Sequence, residues 1–207
     1  MKKELKKFRL PYPSQLRLSL VFLIVLGCQG PSYTPKPRAF PKVEYPDRSY
    51  KAFQDDDCGF TFEMPEYTTI EKGTLFFNEE PAHPCWFNLH FPDFNCDIHF
   101  SYYPISNEAP FEKLNADAFK LAMEHNRKAT YIDEHQVANE FGVAGFVFDL
   151  QGPVATPFQF FLSDSTKHFF RGALYFNTQV RPDSLAPVYD FVKQDLAHLI
   201  NTFRWKE

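Results

Sequence analysis

Seven histidines, four cysteines and one dense run of hydroxyl, carboxylate and imidazole groups are the residues of this 207-residue chain that could do chemistry. His90 and His99 flank Pro92-Asp93-Phe94-Asn95, a turn-forming set. If that turn pairs His90 opposite His99, both imidazoles project from one sheet face beside Asn88, Asp97 and Ser101, where a metal would still need a further convergent ligand. The simpler reading is a cross-strand polar pair on the wetter face, or histidines satisfied beneath a helix, so neither metal nor cofactor is expected. Ser163-Asp164-Ser165-Thr166-Lys167-His168 gathers the three groups of a nucleophilic triad within six residues. Triad members normally come from distant parts of a chain, and no G-x-S-x-G elbow exposes a serine. Asp and Ser are what hairpin turns need, because their side chains bond back to backbone N–H groups. With 8 Gly, the chain has no Gly-rich phosphate loop either. No catalytic residue is assigned, and no enzyme activity is expected.

The elements that position these residues follow from periodicity. Phe60, Phe62 and Met64 alternate with Thr61 and Glu63 before Pro65, as in a half-buried strand. Residues 85–91 and 97–103 read as two more strands, with Phe87, Leu89 and Phe91 on one face and Trp86, Asn88 and His90 on the other. Phe111, Leu114, Ala118, Leu121 and Ala122 recur at helical spacing and predict a helix over 110–128. Residues 130–137, 140–150, 156–162 and 167–176 return to strand composition with short links, which implies antiparallel neighbours. Asp183 and Ser184 offer an N-cap to a closing helix over 184–204, whose apolar stripe is Val188, Phe191, Val192, Leu196, Leu199, Ile200 and Phe203. The expectation is one α+β domain over 58–207: a curved antiparallel sheet of six to eight strands packed with two main helices. The order of elements is similar to that of the antiparallel α/β/α sandwiches of the PsbP and Mog1 group, an analogy of fold alone. A domain this size buries close to 70% of its unfolded surface, so most of the 25 Phe are expected in the core.

Charge separates the first residues from the rest. Lys2, Lys3, Lys6, Lys7, Arg9 and Arg17 against Glu4 give residues 1–27 a balance of +5, so a chain of net charge -4 carries -9 on its other 180 residues. An acidic body without a Lys/Arg stripe argues against nucleic-acid binding, where phosphate neutralisation supplies most of the affinity. The basic stretch leads into nine uncharged residues, 18–26. A spanning helix needs roughly 20, whereas nine after a cationic flank fit the apolar region of an export signal. Val25-Leu26-Gly27-Cys28 resembles the lipobox of bacterial lipoproteins, in which the Cys after the cut is lipidated. That resemblance makes 1–27 a lipoprotein signal peptide and Cys28 the acylated first mature residue, palmitate being one of its acyl groups. Gln29 stands where Asp would signal inner-membrane retention, which favours the outer membrane.

Residues 28–57 form a Pro-rich tether carrying Pro31, Pro35, Pro37, Pro41 and Pro46. Such density favours extended polyproline II, but Tyr33, Phe40, Val43, Tyr45, Tyr50 and Phe53 are more apolar bulk than a solvated spacer needs, and argue for docking on the domain or on a partner. Cys58, Cys85 and Cys96 remain after the anchor, an odd number for an exported chain. Cys58 and Cys85 sit at the starts of two strands, and a Cys58–Cys85 bridge is favoured. Cys96 as partner of either, and three free thiols, stay open.

Taken in order, several strings resemble the gliding-motility lipoprotein GldD family. They are the lipobox ending at Cys28, Tyr33-Thr34-Pro35-Lys36-Pro37-Arg38, the Cys58 strand with Phe60, Phe62 and Pro65, and Cys85-Trp86-Phe87-Asn88. Ile98-His99-Phe100-Ser101-Tyr102, Asp164 to Phe169, Arg171 to Asn177 and Asp183-Ser184-Leu185-Ala186-Pro187 continue the series. The resemblance implies a lipid-anchored, periplasm-facing accessory of gliding machinery coupled to type IX secretion. Its partners would be the membrane, through the anchor, and other envelope components of that machinery. Function would then lie in surfaces, with Lys36, Arg38, Phe40, Lys167 and Arg171 as candidate contacts, though Arg171 could equally pair on its own sheet. The alternative is a lipoprotein that holds a small molecule or lipid in an apolar pocket.

Overall fold

The computed structural model describes residues 42–72 and 81–206. Cys28, Lys36, Arg38 and Phe40 lie outside the described residues.

Four strands built from alternating apolar residues make the sheet's second half in sequence: β7 (Tyr131–Ala138), β8 (Ala144–Gln151), β9 (Phe158–Ser163) and β10 (His168–Phe176). Before them come the two-to-three-residue strands β1 (Tyr50–Ala52), β2 (Phe60–Thr61) and β3 (Glu63–Pro65), and then β4 (Thr69–Lys72), β5 (Phe87–Phe91) and β6 (Cys96–Pro104). The helices are α1 (Phe111–Met123) and α2 (Pro182–Thr202), and β11 (Arg204–Trp205) closes the order. The main sheet is antiparallel and open, in the order β4-β5-β6-β10-β9-β8-β7. Two meanders, β4 to β6 and β7 to β10, meet where β6 pairs with β10 from Cys96↔Phe176 to Pro104↔His168. Short ribbons, β1 with β3 and β2 with β11, lie beside it.

Period-two alternation gives each sheet face its own core. Phe87, Leu89, Phe91, Ile98, Phe100, Phe160, Phe170 and Leu174 are buried with Val188, Val192, Leu196, Leu199 and Ile200 of α2. Phe148, Leu150, Phe161 and Phe169 are buried with Leu114, Ala118 and Ala122 of α1. The expected α+β architecture, with one main helix on each sheet face, is therefore present. The α2-side interior is occupied by rings: Phe60 and Phe170 lie 4.7 Å apart, Phe53 and Phe87 4.8 Å, Phe100 and Phe170 5.0 Å. Each such Phe contributes roughly 1.5–3 kcal/mol of burial. Gly172 is required on this face, because a Cβ there would stand 2.3 Å from the Phe160 ring.

Both helices differ in extent from expectation. The 110–128 helix is α1 over 111–123 followed by a 3-10 turn, Glu124–Arg127. The 184–204 helix begins two residues earlier, with Pro182 in the first turn where its missing N–H costs nothing. It stops at Thr202 because Phe203 is extended and Arg204 and Trp205 pair with β2.

Residues 42–57 pack on the domain. Phe53 is 3% exposed and stacks on Phe62 at 4.8 Å, which makes it core rather than a contact residue. The anchor point is Asp195 of α2, 1% exposed and so in need of compensation. Its carboxylate accepts from Arg48 Nε at 3.1 Å, from the Tyr50 hydroxyl at 2.9 Å and from the Tyr67 hydroxyl. Arg48 also donates to the Phe191 carbonyl at 3.0 Å and lies 4.1 Å over the Phe191 ring. Burial, with the Asp195 hydrogen bond and charge behind it, pushes the Tyr50 phenol up to about 12 and Tyr67 well above its usual value. Asp195→Ala would leave the Tyr50 and Tyr67 hydroxyls without their acceptor and remove the ion pair of the exposed Arg48, so a loss of about 2–3 kcal/mol is expected in urea unfolding. A loss below about 1 kcal/mol, the size of one ordinary hydrogen bond, would show that this clasp does not hold the arm.

Candidate functional site

The β5–β6 hairpin decides what the two singled-out histidines do. It turns through a 3-10 stretch, Pro92–Phe94, and a left-handed Asn95 with φ 47°, which closes Phe91 against Cys96. That register is two residues tighter than one placing His90 opposite His99. His90 faces Asp97 instead, and His99 faces Asn88. The pairs are hydrogen-bonded, His90 Nδ1 to Asp97 Oδ1 and His99 Nδ1 to Asn88 Oδ1, each at 2.6 Å, while Asn177 Nδ2 donates to Asp97 Oδ2. Burial lowers the His99 pKa despite the opposing charge of Asp97, so the neutral ring is favoured. Among the described residues no three His, Cys, Asp or Glu side chains are grouped to hold a metal.

The 163–168 segment is a turn built from its own side chains. Asp164 Oδ1 accepts the backbone N–H groups of Thr166, Lys167 and His168 at 2.9, 2.8 and 2.9 Å. Ser163 Oγ donates to the His168 carbonyl at 2.6 Å and accepts from the Ser165 N–H at 2.9 Å, with Ser165 left-handed at φ 62°. His168 Nδ1 turns away, to the Tyr102 hydroxyl at 2.6 Å, and its ring stacks on Trp205 at 4.8 Å. The three groups of the imagined triad are thus spent on turn and packing. Lys167 stands exposed at the tip, its carbonyl accepting from the Ile105 N–H at 2.8 Å.

Arg171 is elsewhere: on the α1 face of β10, half-buried, with Nη2 donating to Gln159 Oε1 at 2.7 Å. Gln159 Nε2 passes the chain to Thr156 Oγ1 at 2.9 Å, which pairs with His125 Nε2 at 2.8 Å. The structure therefore does not bring Lys167 and Arg171 into one contact patch, and Arg171 has no ion pair on its sheet among the described residues.

Sequence periodicity passed over two acids. Asp195 falls inside the α2 stripe between Val192 and Leu199, and that position was the available signal. Asp149, on the α2 face of β8, accepts from the Tyr189 hydroxyl at 2.7 Å and from Lys193 Nζ. Burial, reinforced by Asp149, raises Tyr189 far above its normal range. Beside this pair lies an apolar cleft of about 170 Å³ lined by Leu150, Val154, Phe176, Val180 and Leu185. Pockets for drug-sized ligands are larger, about 300–1,000 Å³. Cys58 and Cys85 form a disulfide with Cα atoms 5.6 Å apart. Cys96 is a buried thiol, and burial, with the Asp97 charge, raises its pKa, which leaves it unreactive.

Comparison with known proteins adds two findings. A family model described as gliding motility lipoprotein GldD matches residues 30–205. Among solved structures, the solution structure of cyanobacterial PsbP (CyanoP) from Synechocystis sp. PCC 6803 is similar at 10% identity, with a TM-score of 0.49, covering 83% of this chain and 99% of that one. No curated protein matches the chain.

The hairpin tip yields a pH prediction. Burial alone would raise the Asp164 pKa, but the N–H groups of Lys167, His168 and Thr166 outweigh it and hold the carboxyl below its usual value. A carboxyl with a depressed folded pKa stabilises above its unfolded pKa, and that stability is lost as pH falls through the folded one. Asp164→Ala is expected to cost about 1–3 kcal/mol at neutral pH, for N–H groups left without an acceptor, and the cost should shrink as pH falls below the normal carboxylate range. Denaturation at several pH values checks it; a penalty that does not change with acidification would refute the assignment.

Proposed function

Because the chain belongs to the gliding motility lipoprotein GldD family, we propose that it acts in the gliding machinery as a lipid-anchored, non-catalytic component that works through protein–protein contacts and is associated with type IX secretion. The family match carries the reading: it runs through the whole described fold, not one motif. Family membership makes the protein a gliding-motility lipoprotein anchored to the cell envelope. The proposed anchor is the acylated Cys28, on the strength of its lipobox; among the described residues no helix is long and apolar enough to cross a membrane. One acyl chain holds marginally and two or three hold firmly, at about 0.8 kcal/mol per buried methylene.

The finer proposal places the domain in the periplasm on the outer membrane, with other envelope components of the motility and secretion apparatus as partners. Two observations support action through surfaces. The α2-side core is packed with rings, and the cleft on that side is small. Lys167 is exposed at the tip of the Asp164 turn, which fixes its backbone. Lys36, Arg38 and Phe40 are the proposed contacts on the arm.

Deleting the gene is expected to abolish colony spreading, and Cys28→Ala to move the protein from the membrane to the soluble fraction. Whole-cell crosslinking should recover envelope components of the motility and secretion apparatus. Normal spreading by the deletion strain, or crosslinks to none of those components, would overturn the proposal.

A further inference from the structure

Arg171 is a cation placed where no described residue answers its charge. A guanidinium has five N–H donors, and the one hydrogen bond Arg171 makes among the described residues goes to the neutral Gln159 amide oxygen. No carboxylate among them lies within 4.0 Å of it. A cation taken partly out of water without a counter-charge is costly, and burial accordingly lowers the Arg171 pKa from its ordinary value. Tyr103, Tyr175, His99 and His125 interact with its charge, none of them an anion at neutral pH, while the carboxylates Asp117 and Glu124 line the same pocket from exposed positions beyond ion-pair distance.

The side chain is not sealed in. Arg171 lines a pocket of about 250 Å³ between α1 and the sheet, whose walls include Tyr103, Leu114, Ala118, Leu121 and Phe169. Asp117, Lys120 and Glu124 of the α1 region stand at its exposed side. That mouth carries two carboxylates and one ammonium, all exposed to solvent screening, whereas Arg171 is the half-buried charge of the lining; it sets the preference inside the pocket, and the apolar walls set the body preference. Leu121 is 41% exposed, a large apolar side chain left uncovered at the same opening. The guanidinium itself is held in place by the Gln159–Thr156–His125 chain, and a fixed fork is the geometry that takes a carboxylate by two parallel N–H···O bonds.

We propose that the pocket between α1 and β10 binds a carboxylate borne on a short apolar or aromatic body, with Arg171 taking the carboxylate and Leu114, Leu121 and Phe169 taking the body. The same chemistry is offered by a small free acid and by the terminal carboxylate of a polypeptide ending in an apolar residue. The inference does not rest on the gliding assignment and can fail without it.

Isothermal titration of the full chain in detergent, with 3-phenylpropionate as probe, tests it. Saturable binding with Kd below about 1 mM is expected, and 3-phenylpropionamide, equal in shape but uncharged, should bind at least about tenfold more weakly. Arg171→Gln should lose the acid's binding by a similar factor, while Arg171→Lys retains part of it. Should Arg171→Gln fail to fold, Leu121→Glu keeps the question answerable: it removes one apolar contact from both probes and sets a like charge at the solvent-exposed mouth, so it should weaken the acid by a larger factor than the amide. Peptides ending in Phe, with free or amidated C-terminus, compare the two sources; a free-terminus peptide tighter than 3-phenylpropionate assigns the pocket to a protein terminus, and the reverse order to a small acid. Equal affinity for acid and amide, unchanged binding by Arg171→Gln, or no saturable binding of any probe would overturn the proposal.

Discussion

Strands β6 and β10 pair from end to end, and that pairing places every other part of the fold. It joins two meanders that each have an incomplete sheet, and it does so between residues about seventy positions apart, so its closure entropy must be offset by what the joined sheet buries. The offset is aromatic. Phe100 and Phe170 come together on one face and Tyr103 and Phe169 on the other; the first face is apolar along its centre, and the second is apolar over β8, β9 and the start of β10, and each is covered by a helix there. α2 covers one and α1 the other. Because α1 lies on the crossover from β6 to the far edge strand β7, the link that completes the sheet also shields half of it.

The sheet alone does not hold the residues before β2. They are fastened by Asp195, a carboxylate that sits within an apolar helix face and would be costly there without partners. Its three partners come from residues 48, 50 and 67, on both sides of the first small ribbon. Specificity of position is what such a site provides: a greasy arm could slide on a ring-filled core, whereas two phenols and a guanidinium fit one carboxylate in one arrangement. The disulfide between Cys58 and Cys85 closes the intervening loop and restricts the same region through the unfolded chain, by about 3.5 kcal/mol on the loop-entropy estimate.

What could be read from the sequence divides along the same physical line. The long strands, both helices and the buried faces were legible, because Phe87-x-Leu89-x-Phe91 and the α2 stripe are local periodicities. Strand β4 was not, since Ile70 is its only large apolar residue and its existence depends on pairing with β5. The ribbons of β1 and β11 are likewise set by what lies beside them. The His90 and His99 register turned on one left-handed residue, Asn95, which neither composition nor alternation reveals. Asp195 lay in plain view at a stripe position, but its partners are 128 to 147 residues away. Arg171 was legible as a polar residue on a strand; the pocket around it exists only once α1 is laid across the sheet.

A ring-filled core and modest clefts direct attention to how weak surface contacts could serve an anchored protein. Lipidation confines the domain to a layer near one membrane, and a partner in the same envelope then meets it at an effective concentration far above its bulk value, in the millimolar range for short flexible links. Under that condition a contact need not be large. A single side chain such as Lys167 contributes more when its backbone is already fixed, because only the side chain's own rotamer entropy remains to be lost on binding. The Asp164 turn fixes it with three hydrogen bonds inside the hairpin. On the proposed reading, the groups that looked like a catalytic cluster in one dimension serve to fix the backbone of the tip from which Lys167 would meet a partner.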